Sequence, residues 1–505
     1  MKRQTQTLFG LMLSSFIVNL GFGAIMPFLA LYANHFFKPW NWGFTTVGIV
    51  TQIGLLTSAM MISRAFLAPF FGKLSDNAGR KPVIVVGLTM YVFLTFGFGL
   101  ARAFWSLFLV RFFQGIASAL VWPVAESAVV DISPEEKRGR NIGWFMLSLS
   151  LGWSVGPFVG GGFFALIESL IGLDFVKLVG IGLLSLPLAL SSGNFSIFDT
   201  VNNTLLPSID LVGNVEVLSF QITFFFMGGV SLLAVILFNF LVVDPKTEKA
   251  KMSLKELGVA MKEVGKSFLK IRLGIPAFFK PSFWKERTVS LRALFVMAFA
   301  NGFSFAMVFP ILSLFLEQFY GMSTELIGTV FGIAGIAGVT FNPLGGWLAD
   351  KTSKKALVII SGVASAFLLA TLGFQMILWV LVALFITRQM VQQINMPAFR
   401  ALQADLVESK VRGLEFGNVQ LFSNFGSVFG PIVGGILYDV FSGLSWTLGS
   451  TTVFGVEIIM LITGSIMIFA VLVIGIFVKK EDMVLKGVPE PVLTSEQPFI
   501  SLESD

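Results

Sequence analysis

An internal repeat with a constant offset of 274 residues constrains the fold more than any other feature of this sequence. The polar stretch 72–81 separates two long apolar runs and has a second version at 346–355. The same offset relates many further positions: Pro69 to Pro343, Asp76 to Asp350, Trp105 to Trp379, Pro123 to Pro397, Asp131 to Asp405, and Gly156-Pro157 to Gly430-Pro431. One register kept over such a span indicates a tandem duplication.

The composition places both copies in a membrane. The chain has 505 residues, of which 55% are hydrophobic and 13% charged, with a mean hydropathy of +0.84. Soluble proteins carry about 25% charged residues, so we expect a polytopic membrane protein. The absence of cysteine excludes disulfides and thiolate metal sites, and the single histidine, His35, excludes a multi-histidine metal centre. We therefore expect no cofactor.

Twelve apolar runs are long enough to cross about 30 Å of hydrocarbon. They lie near 8–34, 45–71, 82–101, 104–130, 139–166, 217–242, 292–317, 325–349, 356–374, 376–404, 413–438 and 452–478. The predicted fold is an all-α membrane protein with twelve transmembrane helices in two six-helix bundles. Bundles related as parallel repeats are typical of secondary transporters.

Basic residues fall on one set of loops and predict the orientation. Residues 244–292 alone contain twelve Lys and Arg against five Asp and Glu. Basic residues beside spans mark the cytoplasmic side, so both termini are predicted to be cytoplasmic in a multi-pass plasma-membrane protein. The bilayer accounts for the basic net charge, and no nucleic-acid partner is needed.

Three segments interrupt the twelve-span pattern. Residues 167–216 form an acidic insertion, predicted to be an extracellular lid or interfacial helix between spans 5 and 6. Residues 244–291 contain an amphipathic pattern typical of a helix at the membrane surface, and residues 481–505 are predicted to be disordered. The predicted domains are therefore 1–166 with 217–243 as the N-terminal bundle, 292–480 as the C-terminal bundle, and these three segments.

Three motifs resemble those of the major facilitator superfamily. The 72–81 stretch resembles the signature of its loop between spans 2 and 3, and Arg111-x-x-Gln114-Gly115 resembles its span 4 arginine motif. The stretch 152–161, Gly-x-x-x-Gly-Pro-x-x-Gly-Gly, resembles the span 5 motif of the drug/proton antiporter branch, and it recurs here at 426–435. The resemblance implies two bundles that rock about a central cavity. It covers both halves and omits the insertion, the linker and the tail.

The resemblance also implies roles for the loop charges. Asp76, Arg80 and Asp131 would form a charge cluster that closes the inner gate, and the predicted gating residues are Gly72, Asp76, Arg80, Asp131, Asp350 and Asp405. The second half has Lys354 where Arg80 maps, which predicts a weaker cluster there. The alternative is that these charges only fix the topology.

Glycines spaced four apart let helix backbones approach closely in lipid, and proline favours a local bend. The predicted packing residues are Gly152, Gly156, Pro157, Gly160, Gly426, Gly430, Pro431 and Gly434. A face of this kind suits rocking, and simple structural packing is the alternative.

Polar residues inside the spans indicate the cargo site, because burying them in a membrane is costly. The predicted substrate-binding residues are Asn19, Arg111, Gln114, Trp122, Asn301, Arg388 and Gln392. No Asp or Glu lies at the middle of a predicted span, and Glu126 is the deepest. Two arginines without a midplane acid favour a neutral or anionic amphiphile, and proton coupling is assigned to Arg111 and Glu126. Arg111 could instead only hold span 4 to its neighbours.

These features predict a monomeric secondary active transporter, not an enzyme, that moves a small organic molecule by alternating access. Proton-coupled efflux is favoured by the doubled glycine-proline motif. The alternatives are an uptake symporter for a sugar or organic anion and, in a different class, a transport-inactive receptor or scaffold.

Overall fold

The computed structural model describes residues 2–42, 45–134, 137–171, 211–243, 281–285, 287–374, 377–407, 412–441, 443–448 and 451–479. Twelve long helices lie in this part of the chain: α1 (Lys2–Phe36), α2 (Ile49–Ala78), α3 (Arg80–Leu100), α4 (Phe104–Ile132), α5 (Arg138–Ile171), α6 (Leu211–Leu241), α7 (Val289–Tyr320), α8 (Thr324–Lys351), α9 (Lys354–Thr371), α10 (Leu378–Asp405), α11 (Arg412–Phe441) and α12 (Gly455–Phe477). A short helix, Pro281–Lys285, precedes α7, and a 3-10 turn, Leu372–Phe374, follows α9.

Two small antiparallel hairpins accompany the helices. Strands β1 (Trp40–Trp42) and β2 (Thr45–Val47) lie between α1 and α2, with Asn41 opposite Thr46. Strands β3 (Ser445–Leu448) and β4 (Thr451–Phe454) lie between α11 and α12, with Trp446 opposite Val453. Their positions move two predicted boundaries: the span expected from 45 begins at Ile49, and the one expected from 452 begins at Gly455, because strands occupy the preceding residues.

Each of the twelve predicted spans corresponds to a helix, and eleven of the helices are long and apolar enough to cross a membrane by length and composition. The exception is α10, whose middle carries a run of polar side chains: Arg388, Gln389, Gln392, Gln393 and Asn395. Polar groups at membrane depth are expected to face the protein interior or water instead of lipid. The polar face of α10 therefore identifies it as a helix that faces other protein or a cleft.

The predicted insertion is shorter than expected, because α5 continues to Ile171 and α6 begins at Leu211. Residues 172–210 between them lie outside the described residues. So do the amphipathic stretch of the linker and the C-terminal tail.

The polar stretch 72–81, which separates two of the predicted spans, is mostly helical. Helix α2 continues to Ala78, and α3 begins at Arg80. The single residue between them, Gly79, has φ of +89°, a conformation that only glycine adopts without strain. One glycine therefore reverses the chain and places the charged side chains on two helix ends.

The two ends of the helical bundles differ. The basic end carries the α2–α3, α4–α5, α8–α9 and α10–α11 connections, and the hairpin end carries both β-hairpins. The basic end and the hairpin end are thus the two opposite sides of the molecule.

The packing order of the first six helices is repeated in the last six. Helix α1 packs along α5 as α7 packs along α11, and α2 packs along α4 as α8 packs along α10. The pairs α3–α6 and α9–α12 are equivalent in the same way. The sequence repeat is thus a structural repeat of two six-helix bundles.

The buried apolar residues form three clusters, and their location shows where the bundles meet. One cluster belongs to the N-terminal bundle toward the basic end and includes Leu120 and Phe145. A second belongs to the C-terminal bundle and includes Phe295 and Leu402. The third combines residues of both bundles near the hairpin end, such as Leu29 with Met307. The bundles therefore share one core at the hairpin end and have separate cores at the basic end.

Candidate functional site

Two helix pairs join the bundles: α2 with α11, and α5 with α8. The two contacts are related by the 274-residue offset. A Cβ added to Gly435 would lie 2.6 Å from the Thr51 Cα, and one added to Gly161 would lie 3.0 Å from the Glu325 carbonyl oxygen. All these residues lie in the hairpin-end halves of their helices. The molecule is therefore closed at the hairpin end by two equivalent contacts.

The glycine-proline motifs have two faces. The glycines spaced four apart face the first helix of their own bundle: Gly152, Gly156 and Gly160 pack on α1, and Gly426, Gly430 and Gly434 pack on α7. The prolines face the other bundle, because the Pro157 carbonyl lies against Gly328 and the Pro431 carbonyl lies against Gly54. One motif thus fixes each bundle internally and forms the contact between bundles.

At the basic end, α4 and α10 present matching polar faces. Glu126 on α4 and Arg400 on α10 are related by the 274-residue offset, and both side chains are exposed although they lie within long helices. A charged, exposed side chain within a span indicates a water-filled cleft. Trp122 lies one turn from Glu126, and its indole N–H donates to the Tyr91 hydroxyl at 3.2 Å.

The charges of Glu126 and Arg400 influence each other, but no ion pair within 4.0 Å joins these two described side chains. Arg400 Nη2 donates instead to Gln420 Oε1 at 3.1 Å, and Gln420 Nε2 donates to Asn424 Oδ1 at 3.2 Å. Opposite charges thus face each other from the two bundles without contact. The exposure of both side chains indicates that water separates the bundles at the basic end in this conformation.

Arg111 is fully enclosed in the N-terminal bundle, with 1% of its surface exposed. Its Nη1 donates to Gln114 Oε1 at 2.9 Å, and its Nη2 lies 3.3 Å from Met26 Sδ. The guanidinium lies over the Phe98 ring at 5.2 Å from the centroid. Arg111 and Gln114 therefore link α4 to α1 and α3, and neither is exposed to the cleft in this conformation.

Arg388 is the repeat equivalent of Gln114, and it is also buried. Its Nη1 donates weakly to Gln389 Oε1 at 3.5 Å, and its Nε has no hydrogen-bond partner. Gln392 on the same helix face accepts from Ser365 Oγ at 3.0 Å, which joins α10 to α9. No carboxylate within 4.0 Å pairs with Arg388 among the described side chains.

The two predicted asparagines lie on the central helices. Asn19 on α1 donates to the Ser15 carbonyl at 2.9 Å, and its Cβ lies beside Gly152. Asn301 on α7 is partly buried, and its Oδ1 has no partner. The predicted substrate residues thus divide between cleft faces and bundle interiors, and their binding roles remain predictions.

The structure brings Asp76, Arg80 and Asp131 together at the basic end. Arg80 Nη2 lies 2.7 Å from Asp76 Oδ1, and Arg80 Nε lies 3.0 Å from Asp131 Oδ2. Arg80 Nη1 also donates to Ser75 Oγ, which in turn donates to the Gly72 carbonyl at 2.7 Å. One buried guanidinium thus holds the ends of α2, α3 and α4.

The second repeat has a smaller version of this cluster. Lys354 Nζ lies 2.6 Å from Asp405 Oδ2. Asp350, the equivalent of Asp76, is exposed and has no ion pair with the described side chains. A lysine holds one carboxylate here, whereas Arg80 holds two, because only the guanidinium has donors that diverge in a fixed plane.

Sequence reasoning missed two groups of residues. Arg400 could have been found by applying the repeat offset to Glu126. An aromatic row that crosses from one bundle to the other could not have been found from the sequence, because it depends on tertiary packing. In this row the ring centroids of Phe22 and Trp153 are 5.0 Å apart, those of Trp153 and Phe309 are 6.2 Å apart, and those of Phe309 and Phe331 are 4.7 Å apart. In the part of the chain that is described, no group of three His, Asp or Glu residues is positioned to hold a metal ion.

The chain is similar to known membrane transporters in both sequence and fold. The family model described as Major Facilitator Superfamily matches residues 11–386 and 294–501. The chain is 22% identical over 446 residues to Multidrug resistance protein 1 of Bacillus subtilis, covering 87% of this chain and 92% of that protein. It is 30% identical over 154 residues to the Quinolone resistance protein NorA of Staphylococcus aureus, covering 30% of this chain and 37% of NorA.

Solved structures show the same fold. A bacterial homolog of the human lysosomal transporter Spinster, in an inward-facing and occupied conformation, has a TM-score of 0.69 at 16% identity and covers 96% of this chain and 99% of that one. A D-xylose-proton symporter has a TM-score of 0.66 at 16% identity, covering 95% and 100%.

Proposed function

The chain belongs to the major facilitator superfamily, and we propose that within it this transporter exports a neutral or anionic amphiphile by proton-coupled alternating access. A multi-pass membrane transporter and a non-enzymatic role follow from the family. The cargo, the coupling ion and the direction are the proposed part.

The closed hairpin end and the open basic end carry the proposal of alternating access. The bundles share a core and two equivalent contacts at the hairpin end, while Glu126 and Arg400 face each other without contact at the basic end. If the basic end is cytoplasmic, as its positive charge favours, this conformation is inward-facing. Rocking about the glycine-proline contacts would then open the opposite side.

The charge balance inside the bundles supports a neutral or anionic cargo. No Asp or Glu of the described helices lies more than six residues from a helix end, whereas Arg388 lies ten residues inside α10, and Arg111, seven residues inside α4, is fully buried. A buried cation without a counterion attracts an anion, because an anion would offset the cost of its burial. The aromatic row between Trp153 and Phe331 supplies an apolar surface at the closed end of the cleft.

Glu126 is the proposed proton carrier. It is the deepest carboxylate of the described helices and is exposed to the cleft. Closing the basic end would bring Arg400 toward it, and a nearby cation favours the charged carboxylate. With the basic end closed and the hairpin end open, a proton from the outer side would neutralise Glu126 and break its attraction to Arg400. The basic end could then open and release this proton to the cytoplasmic side, so that protons move inward as cargo moves outward. Arg111 is too enclosed to exchange protons with water, so its role is to hold α4.

Efflux is favoured over uptake by the glycine-proline motif in both halves and by the named multidrug and quinolone resistance relatives. Uptake of a sugar or organic anion is the second candidate, supported by the unpaired Arg388 Nε. Both candidates use the same cleft.

The experiment is transport in proteoliposomes under an imposed pH gradient, with a fluorescent neutral amphiphile and its anionic derivative as the probes. For export, we expect cargo to move against the direction of proton flow; movement of cargo with protons would favour the uptake symporter. Neither cargo flux nor cargo-dependent proton flux would contradict transport and favour a receptor.

Two variants test the assigned residues in the same assay. Glu126→Gln should abolish the acceleration of cargo transport by the pH gradient but keep downhill exchange of cargo. Glu168→Gln, which changes an exposed carboxylate at the hairpin end, serves as its control.

Arg388→Ala should lower transport of the anionic probe more than transport of the neutral probe. An equal decrease in the transport of both probes would contradict an electrostatic role for Arg388.

A further inference from the structure

The N-terminus of α2 does not provide its own cap. Its N-cap residue is Gly48, which has no side chain to accept the free N–H groups of the first turn, and the first turn contains no acidic residue. The first N–H groups of a helix need an acceptor, and negative charge near them is stabilising.

The missing acceptor comes from the other bundle. Asp439, near the end of α11, accepts from the Thr51 N–H at 2.8 Å and from the Val50 N–H at 3.1 Å. The Thr51 hydroxyl also donates to the same carboxylate. These N–H groups are the second and third of the helix, the ones that an N-cap side chain normally satisfies. A carboxylate 388 residues away thus caps α2 in place of its own N-cap residue.

The equivalent contact between α5 and α8 has no such cap across the bundles. Ser323 precedes α8 and accepts from the Leu326 N–H at 3.4 Å, and the first turn of α8 contains its own acid, Glu325. The residue of α5 that corresponds to Asp439 is Ala165. Helix α8 is therefore capped from within its own bundle, and α2 is capped only across the boundary.

A second hydrogen bond on the same seam follows about two turns further along α2. Ser58 Oγ donates to the Val428 carbonyl at 2.6 Å, and both residues are buried. Between α5 and α8 no hydrogen bond joins described residues, and their closest contacts place glycines against backbone and small side chains, such as Gly335 against Ser154. The directional bonds between the bundles at the hairpin end are thus concentrated on one seam.

We propose that Asp439 is the residue that holds the hairpin end closed, by capping α2 across the bundle boundary, and that opening this end requires the cap to break. The proposal rests on the proposed alternating access. Opening would leave two helix N–H groups and one carboxylate to be solvated, whereas α8 would keep its own cap. The two seams therefore contribute unequally to closure, although the helix packing is symmetric.

The test is a distance measurement between the two bundles at the hairpin end. The natural chain contains no cysteine, so spin labels can be placed at Ala103→Cys and Ile377→Cys without other changes. These two exposed positions are repeat equivalents at the starts of α4 and α10. Double electron–electron resonance in lipid nanodiscs then reports the ratio of closed to open molecules.

Two variants disrupt the cap in different ways. Asp439→Asn keeps the shape but removes the charge. Gly48→Ala leaves Asp439 in place, and its added Cβ would overlap the carboxylate while the backbone, at φ −72°, accepts alanine. Since hydrogen bonds to a charged group are worth more than neutral ones, we expect the open-to-closed ratio to rise about tenfold in both variants.

Ser323→Ala is the matched control, because it removes a helix cap that does not cross the boundary. We expect the wild-type ratio in this variant. An unchanged ratio in Asp439→Asn and Gly48→Ala, or an equal rise in Ser323→Ala, would overturn the proposal. The proposed function fails by a different result, namely an absence of cargo flux in the wild-type proteoliposomes.

Discussion

At the scale of single residues, the difference between arginine and lysine determines how firmly each half holds its basic end. Arg80 has three partners at once, Asp76, Asp131 and Ser75. Among the described side chains, Lys354 pairs with Asp405 alone. The two carboxylates of the first cluster are held at separate corners of one guanidinium, which a lysine ammonium cannot reproduce.

We therefore expect Arg80→Lys to lower the melting temperature of the purified protein. The free energy of unfolding should fall by about 1–2 kcal/mol, after allowance for the partial exposure of the carboxylates. Lys354→Arg should leave it within experimental error, since it keeps the charge and the partner. Thermal unfolding followed by intrinsic tryptophan fluorescence measures both. Equal shifts in the two variants would show that Arg80 contributes only its charge.

At the scale of helices, the glycine motif acts where two backbones touch. A Cβ on Gly156 would lie 2.7 Å from the Ala24 backbone nitrogen, and neighbouring backbone cannot move aside as a flexible side chain can. Gly162, on the same helix, is exposed and has open space around the position of its Cβ. The two glycines therefore differ only in whether a helix faces them.

Gly156→Ala is expected to destabilise the α1–α5 pair by about 1–3 kcal/mol, the usual cost of overpacking. Gly162→Ala should be neutral or slightly stabilising, because alanine favours the helix. The melting temperatures of both variants in detergent show whether the destabilisation comes from the close contact between α1 and α5 or from any exchange of glycine for alanine in this helix. A stable, fully active Gly156→Ala would mean that α1 and α5 are further apart than described.

The helices could be predicted because hydropathy and span length are local properties. The resemblance of the 72–81 stretch to the family signature also predicted that Asp76, Arg80 and Asp131 form a charge cluster. The cap formed by Asp439 could not be predicted, because it joins residues 388 positions apart that belong to different repeat copies. Likewise, Arg388 suggested a cavity residue by its polarity alone, and only the packing of α10 on α9 and α8 shows that it is enclosed.

At the scale of the whole molecule, the duplication gives the two bundles the same shape but not the same charge. Glu126 and Arg400 occupy equivalent positions, so a movement that closes the basic end symmetrically would bring an acid and a base together. The hairpin end has an unequal arrangement too, with a cap across one seam only. In the proposed transport cycle, each end would thus have a charged contact that forms in one conformation and breaks in the other.

Charge reversal tests this relation. Glu126→Arg alone, or Arg400→Glu alone, places like charges at the closing surface and should keep the basic end open, since like charges in contact repel. The double variant restores opposite charges in exchanged positions and should recover closure. Spin labels at Pro134→Cys and Thr352→Cys, exposed at the basic end of each bundle, measure the distance between bundles with and without cargo. We expect the cargo-dependent short distance in the wild type and the double variant only. A short distance in either single variant would mean that closure of the basic end does not bring these two side chains together.

Because the double variant has a carboxylate at position 400 and none at 126, it separates closure from proton coupling. It should close, yet its transport should respond to a pH gradient only if position 400 can carry the proton as well.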